Sequence, residues 1–130
     1  MILPIFLLSC LLLVSSSATP LEIADSFQSS LNRAIIQKNQ LKINDILDAH
    51  FYETPCKGNR VDKDAFSASL ISSGRAGVVT GARDDGYYIY YSVNYGDKWS
   101  MVYLLNSKVY WNLPRKLIFA KQIDCKFVDN

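Results

Sequence analysis

Tyrosines are the residues of this sequence best suited to bind a ligand, and they are concentrated in one short segment. The stretch YYIYYSVNY, residues 87–95, holds five of the chain's eight tyrosines. A tyrosine in a strand packs its ring while its hydroxyl reaches water or a neighbour. The same hydroxyl can instead point into a cavity and bond a ligand. Both interpretations stay open: most of these rings are expected to be structural, and one or two to belong to a site.

Acid–base chemistry has one candidate residue, His50, which is the only histidine and lies close to Asp48. Histidine titrates near neutral pH and could act as a general base. A lone histidine at a helix end more commonly satisfies nearby carbonyl groups, and this interpretation is preferred. No second group is placed by spacing to complete a catalytic set, so no catalytic residue is assigned.

Metal and cofactor motifs are not found in the sequence. The pair Asp84-Asp85 is explained by turn chemistry, and the further oxygen ligands of a calcium site are not evident. The glycines of GRAGVVTG follow a helical pattern instead of a strand and lack the Lys-Ser/Thr ending of a phosphate loop. We therefore predict neither a metal nor a cofactor.

The first eighteen residues, MILPIFLLSCLLLVSSSA, read as a secretory signal peptide. They carry no charged side chain, and their mainly apolar run from Ile2 to Val14 is shorter than the ~20 residues that span a bilayer. Ser16 and Ala18 have the small-residue spacing of a cleavage site, which predicts cutting after Ala18. Cleavage leaves 112 of the 130 residues, enough for one domain with a core and too few for two. Residues 19–130 are therefore expected to form a single extracellular domain, and they are expected to lack membrane attachment because no second long apolar segment follows.

Charge and cysteine content agree with export. The net charge is +2 without a basic block, so nucleic acid is not an expected partner. Cys10 leaves with the signal, and Cys56 and Cys125 remain. In an oxidising compartment such a pair most simply forms a disulfide, which stabilises the fold by roughly 4 kcal/mol in the chain-entropy model. Free thiols are the alternative, since two cysteines and one histidine at unrelated spacings make a poor zinc site.

Three helices are predicted before the strands begin. Thr19, Pro20 and Glu22 form a capping box that opens a first helix running to about Lys38. A shorter helix is expected in LKINDILDAHF, residues 41–51, which would place His50 on a helix. Asp62 caps a third helix, and Gly74 ends it.

From Ala76 onward the apolar period changes to two, which predicts antiparallel strands. With a hairpin tip at Gly96-Asp97, Tyr91 would lie opposite Val102, and Tyr90 opposite Tyr103 on the other face. Further strands are expected at VYW (109–111) and at residues 116–128. Both faces of the hairpin would be largely apolar, so the face turned away from the helices needs its own cover.

The order of elements, with HFYETPC ending the second helix and LIFAKQIDC ending the long antiparallel strands, resembles the nuclear transport factor 2-like superfamily. It is most similar to the small secreted members found in nematodes. The resemblance implies an α+β, cystatin-like cone in which three N-terminal helices pack on a curved antiparallel sheet and leave a pocket at the open end. Many members pair through the outer face of the sheet. Some are isomerases or dehydratases that use an Asp or His base with a Tyr donor, and others are not catalysts.

These expectations combine into a secreted, non-catalytic binding domain for a small apolar ligand or a protein partner. The alternatives are an enzyme of the isomerase or dehydratase type and a structural homodimer joined through the outer sheet face. The residues predicted to line the ligand site are Tyr87, Ile89, Tyr91, Val102, Leu104 and His50.

Overall fold

In the computed structural model, which describes residues 18–108 and 113–125, the first helix (α1) spans Pro20–Ile36. It opens with the predicted capping box: the Glu22 N–H donates to the Thr19 hydroxyl, and the Thr19 N–H donates to the Glu22 carboxylate at 3.3 Å. Both groups satisfy amides that the first helical turn leaves without partners. The predicted cleavage site after Ala18 therefore lies directly before a defined helix start.

The helix that follows the cysteine loop also begins and ends as predicted. This helix, named α3, spans Lys63–Ser73, and the Asp62 carboxylate accepts from the Ala65 N–H at 2.9 Å. Gly74 ends it with a φ of 61°, a left-handed conformation that glycine adopts without strain. Phe66 and Leu70 turn its apolar side into the core.

The segment between these two helices differs from its prediction. The short helix α2 spans Gln40–Ile46 and stops, and Leu47–Thr54 continues as strand β1. His50 therefore lies on a strand and not on a helix. Ile43, Leu47 and Phe51 recur every four residues, which fits a helix, yet the chain changes to strand geometry at Leu47 and still buries all three.

Within residues 18–108 and 113–125, six strands form one mixed sheet. Besides β1 they are β2 (Val61–Asp62), β3 (Val78–Asp84), β4 (Tyr88–Asn94), β5 (Ser100–Asn106) and β6 (Leu117–Ile123), in the order β2-β1-β6-β5-β4-β3. The pair β1–β6 is parallel, so the expectation of an antiparallel sheet behind three helices is only partly correct. The pairing shifts between Val79 and Gly81 and again at Leu104, and such bulges bend a sheet. The predicted strand at residues 109–111 lies outside the described residues.

The register of the β4–β5 hairpin is one residue away from the predicted one. Tyr91 lies opposite Tyr103, and Tyr90 lies opposite Leu104. The cause is the loop, which occupies residues 96–98: the Tyr95 N–H bonds the Trp99 carbonyl at 2.9 Å, and Asp97 and Lys98 both have positive φ. A shift of one residue moves every side chain of one strand to the other face. Tyr103 is consequently buried and not on the outer face.

The predicted disulfide is present. Cys56 and Cys125 are bonded with their Cα atoms 5.2 Å apart, and they tie the loop after β1 to the end of β6. The bond fastens the parallel pair β1–β6, whose strands are far apart in sequence. Within the described part of the chain, no helix is both long and apolar enough to cross a membrane.

Candidate ligand-binding site

Three buried tyrosines meet a buried glutamine between α1 and the inner face of the sheet. The Tyr91 hydroxyl donates to Gln28 Oε1 at 2.8 Å, and Gln28 Nε2 donates to the Tyr95 hydroxyl at 3.1 Å. The hydroxyls of Tyr95 and Tyr103 are 2.6 Å apart. Gln28 is 2 % exposed and the three tyrosines are no more exposed than 3 %. The hydroxyls of these tyrosines are therefore hydrogen-bonded to other groups inside the protein.

The same network extends from Gln28 to the start of β3. Gln28 Nε2 donates to Asn32 Oδ1 at 2.9 Å, and Asn32 exchanges two hydrogen bonds with the backbone of Gly77, at 2.7 and 2.8 Å. A Cβ on Gly77 would lie 2.5 Å from Val93 Cγ2, so this close approach requires glycine. The network thus clamps α1 onto the sheet.

Burial keeps the tyrosine hydroxyls of this network protonated. It raises the pKa of Tyr95 to about 12 and raises the pKa values of Tyr91 and Tyr103 well above the ordinary value of 10. Glu53, which strand alternation places on the same side of β1 as Phe51, has its pKa raised by burial as well. No histidine or carboxylate within the described residues bonds a hydroxyl of the three tyrosines.

An open groove lies beside this network, between α1, α2 and the segment that leads into β6. Its volume is about 640 Å³, within the 300–1,000 Å³ typical of ligand pockets. We call it the α1–α2 groove. Its lining residues are Ala18, Glu22, Ile23, Ser26, Phe27, Ser30, Lys42, Ile46, Leu113, Pro114 and Arg115.

The floor of the α1–α2 groove is apolar and rests on the core. Ile23 and Phe27 are partly buried, and the Phe27 ring meets the Tyr91 ring edge-on with centroids 6.5 Å apart. Leu113 closes one side and is 63 % exposed. Glu22, Lys42 and Arg115 place charged groups around this floor. An apolar floor with a few polar groups is the usual composition of a small-molecule site.

Arg115 is held in place by the backbone of the β5–β6 connection. Its Nε donates to the Asn106 carbonyl at 3.1 Å, and its Nη2 donates to the Ser107 carbonyl at 3.0 Å. The Lys116 N–H donates to Asn106 Oδ1 at 3.1 Å, which fixes the same segment a second time. One wall of the groove is therefore positioned by hydrogen bonds.

The outer face of the sheet carries a partly exposed row of apolar and aromatic side chains. Paired positions place Tyr52, Phe119, Leu104 and Tyr90 side by side across β1, β6, β5 and β4. An arginine covers each end: Arg60 lies over the Tyr52 ring at 4.1 Å and Arg83 over the Tyr90 ring at 4.3 Å. We call these four side chains the outer row.

The six residues predicted to line a ligand site do not share one face. Ile89 and Tyr91 are buried on the inner face, whereas Val102 and Leu104 lie on the outer face as a result of the register shift. Tyr87 precedes β4 and is 79 % exposed, and His50 is exposed on β1. Tyr91 is linked to the α1–α2 groove through its contact with Phe27.

The sequence interpretation missed Gln28 and the groove residues of α1. In the helical spacing of the sequence, Ile23 and Phe27 fall in an apolar stripe with Leu31 and Ile35, whereas Gln28 falls on the polar side. The structure rotates the first half of that stripe, so that Ala24 and Gln28 are buried and Ile23 and Phe27 face the groove. The spacing of Ala24, Gln28, Leu31 and Ile35 carried this signal, but a polar residue type concealed it.

Comparison with known proteins identifies the fold. No family model and no curated protein matches the chain. A solved nuclear transport factor 2-like protein of unknown function from Silicibacter pomeroyi superposes with a TM-score of 0.61 at 9 % identity, over 76 % of this chain and 90 % of that one. One from Cytophaga hutchinsonii gives 0.61 at 16 % identity, over 81 % and 98 %. The fold is that of the nuclear transport factor 2-like proteins.

The chain is also similar in architecture to a designed protein. A de novo designed protein with a curved β-sheet superposes with a TM-score of 0.53 at 13 % identity, over 72 % of this chain and 89 % of that chain. Similarity at these identities is one of architecture, and function follows from the site instead.

Proposed function

We propose that the protein is an exported, non-catalytic binding domain of the small secreted type, and that it holds a small, mainly apolar molecule in the α1–α2 groove. The observation that supports this proposal is the groove itself: about 640 Å³ of open volume over the apolar side chains of Ile23, Phe27 and Ile46. Burying such a surface against an apolar ligand is favourable by roughly 25 cal/mol for each Å² removed from water.

The filled interior favours the groove over the space between α1 and the sheet. There the hydroxyls of Tyr91, Tyr95 and Tyr103 bond Gln28 or one another. A ligand entering that space would have to break this network, and buried polar groups that lose partners cost about 1–3 kcal/mol each. The same network is a reason to prefer binding over isomerase or dehydratase chemistry, which needs an acid or base in contact with the reacting group.

A groove-filling variant tests the proposal. Ser26 lies on the exposed surface of α1 and lines the groove, so Ser26→Trp places an indole over its floor. We expect the purified protein to enhance the fluorescence of the neutral probe N-phenyl-1-naphthylamine, and Ser26→Trp to abolish that enhancement. Ser69→Trp makes the same change at an exposed position of α3 and is expected to bind the probe normally. No enhancement by the parent protein, or full enhancement by Ser26→Trp, would contradict the proposal.

The outer row favours a second role, self-association through the outer face of the sheet. Tyr52, Phe119, Leu104 and Tyr90 form a continuous apolar strip on a face that no helix covers among the described residues. Aromatic residues are enriched at protein interfaces and charged ones are depleted from their centres, as in this strip with an arginine at each end. Pairing through this face leaves the α1–α2 groove open.

A further inference from the structure

Positive charge is in excess around the α1–α2 groove. Lys42 from α2 and Arg115 from the segment before β6 line it, against the single carboxylate of Glu22. That carboxylate is committed to the helix start, since its Oε1 accepts from the Thr19 N–H at 3.3 Å and from the Thr19 hydroxyl at 3.0 Å. The charge of Glu22 is therefore turned toward the N-terminus of α1.

Lys42 and Arg115 differ from the neighbouring Lys116 in their ion pairing. Lys116 pairs with Asp45, with 4.0 Å between Nζ and the carboxylate, and donates to the Asp45 carbonyl. Arg115 instead donates to two neutral carbonyls, which fix its position without neutralising its charge. Asp84 is near enough for the Arg115 charge to help lower its pKa, but Ser107 and Gly86 hold that carboxylate more strongly. Within residues 18–108 and 113–125, neither Lys42 nor Arg115 forms an ion pair.

We infer that the ligand of the α1–α2 groove is an amphipathic carboxylate, with its apolar chain over Ile23 and Phe27 and its carboxylate between Lys42 and Arg115. This inference rests on the proposed binding function and adds the chemical class of the ligand. Arg115 uses Nε and one Nη2 hydrogen on the two carbonyls that position it, so Nη1 and the second Nη2 hydrogen remain as paired donors for a carboxylate. The flexible ammonium of Lys42 supplies the second charge.

A chain-matched pair of ligands tests the head group separately from the groove. Decanoate and 1-decanol carry the same apolar chain and are compared by their displacement of N-phenyl-1-naphthylamine from the protein at neutral pH. We expect decanoate to displace the probe at a concentration roughly fivefold lower or more, since exposed ion pairs contribute up to about 1 kcal/mol each. The preference is expected to shrink as salt is added, because ions screen exposed charges.

Charge reversal identifies the cation responsible. Lys42→Glu is expected to remove the preference for decanoate, because the charged decanoate loses more affinity than the neutral 1-decanol. Lys121→Glu makes the same change in net charge at an exposed position of β6 outside the groove and is expected to keep the preference.

The outcomes separate the two proposals. Equal displacement by decanoate and 1-decanol, abolished for both by Ser26→Trp, would overturn the carboxylate inference and leave the binding groove in place. A preference that Lys42→Glu does not alter would also overturn it. Failure of both compounds and of the probe itself to bind would remove the proposed function together with the inference.

Discussion

At the scale of single residues, Gln28 connects the polar interior of the protein to its apolar groove. An amide buried without partners costs several kcal/mol, and Gln28 avoids this cost by using both ends of its side chain. Its oxygen accepts from Tyr91, and its nitrogen donates to Tyr95 and to Asn32. By holding the Tyr91 ring, Gln28 also fixes the surface against which Phe27 lies at the floor of the groove.

Replacing Gln28 by leucine tests this role. The volume is nearly conserved, but Tyr91, Tyr95 and Asn32 each lose a hydrogen-bond partner inside the protein. We expect Gln28→Leu to lower the free energy of unfolding by about 2–4 kcal/mol, from the cost of buried groups left unbonded. Ser29→Leu, one residue further along α1 and exposed, is expected to change it by less than about 0.5 kcal/mol. Urea unfolding measures both, and equal stability of the two variants would contradict the assignment.

At the scale of elements, the contact between α1 and β3 depends on a glycine at the approach to the strand. Gly77 is buried, and a Cβ there would lie 2.5 Å from Val93 Cγ2 and 2.8 Å from both Gln28 Nε2 and Tyr95 Cε1. Gly81, in β3 itself, has Ser92 Oγ at 3.6 Å as its nearest neighbour, which is ordinary contact. Two glycines four positions apart therefore have opposite tolerance for a side chain.

The pair Gly77→Ala and Gly81→Ala measures that difference. We expect Gly77→Ala to destabilise the protein by about 1–3 kcal/mol or more, because the extra methyl group forces α1 and β4 apart. Gly81→Ala should leave stability unchanged or raise it slightly, since alanine loses less chain entropy than glycine on folding. Thermal or urea unfolding of both variants provides the comparison. A Gly77→Ala protein as stable as the parent would show that the contact between α1 and the start of β3 accommodates a methyl group without loss of stability.

Elements with local signals were predictable from the sequence, and those set by distant contacts were not. The starts of α1 and α3 follow from Thr19 and Asp62, whose side chains act within three residues. The change from α2 to β1 was missed because the apolar spacing of this segment suits a helix, and its strand geometry is imposed by pairing with β6, about 70 residues away.

The candidate site could not be predicted from the sequence, because it too is formed by distant segments. The α1–α2 groove joins the first turns of α1 to residues 113–115, and no sequence period connects segments so far apart. The predicted register of the β4–β5 hairpin was wrong by one residue. Asp97 and Lys98, neither of them glycine, both adopt positive φ and lengthen the loop by one residue. That single residue moved Val102 and Leu104 to the outer face and Tyr103 to the inner one.

At the scale of the whole molecule, the inner and outer faces of the bent sheet differ in what covers them. The inner face is closed by α1 and the tyrosine network, and the disulfide between Cys56 and Cys125 fastens the strands at one side. The outer face presents the outer row, with no helix against it in the described part of the chain. A contiguous apolar patch on a protein surface is a common mark of an interface.

The same substitution, leucine to lysine, at two different positions distinguishes self-association through the outer row from nonspecific hydrophobic association. Leu104 lies in the centre of the outer row, paired with Tyr90 and Phe119, whereas Leu41 is 83 % exposed on α2. We expect sedimentation velocity at micromolar concentration to show a dimer for the parent protein and for Leu41→Lys, and a monomer for Leu104→Lys. The reason is that two copies of an uncompensated ammonium would be buried at the centre of a twofold interface.

Circular dichroism keeps this test interpretable, because a lysine in a central strand could also loosen the sheet. A Leu104→Lys protein with the parent's near-ultraviolet spectrum retains the packing of its buried tyrosines, so its loss of dimer would then belong to the outer surface. Should that spectrum collapse, Tyr90→Ser removes an outer-row ring without adding a charge and repeats the measurement. If the parent protein remains monomeric at hundreds of micromolar, the outer row does not mediate self-association. The α1–α2 groove would then be the remaining proposed binding surface.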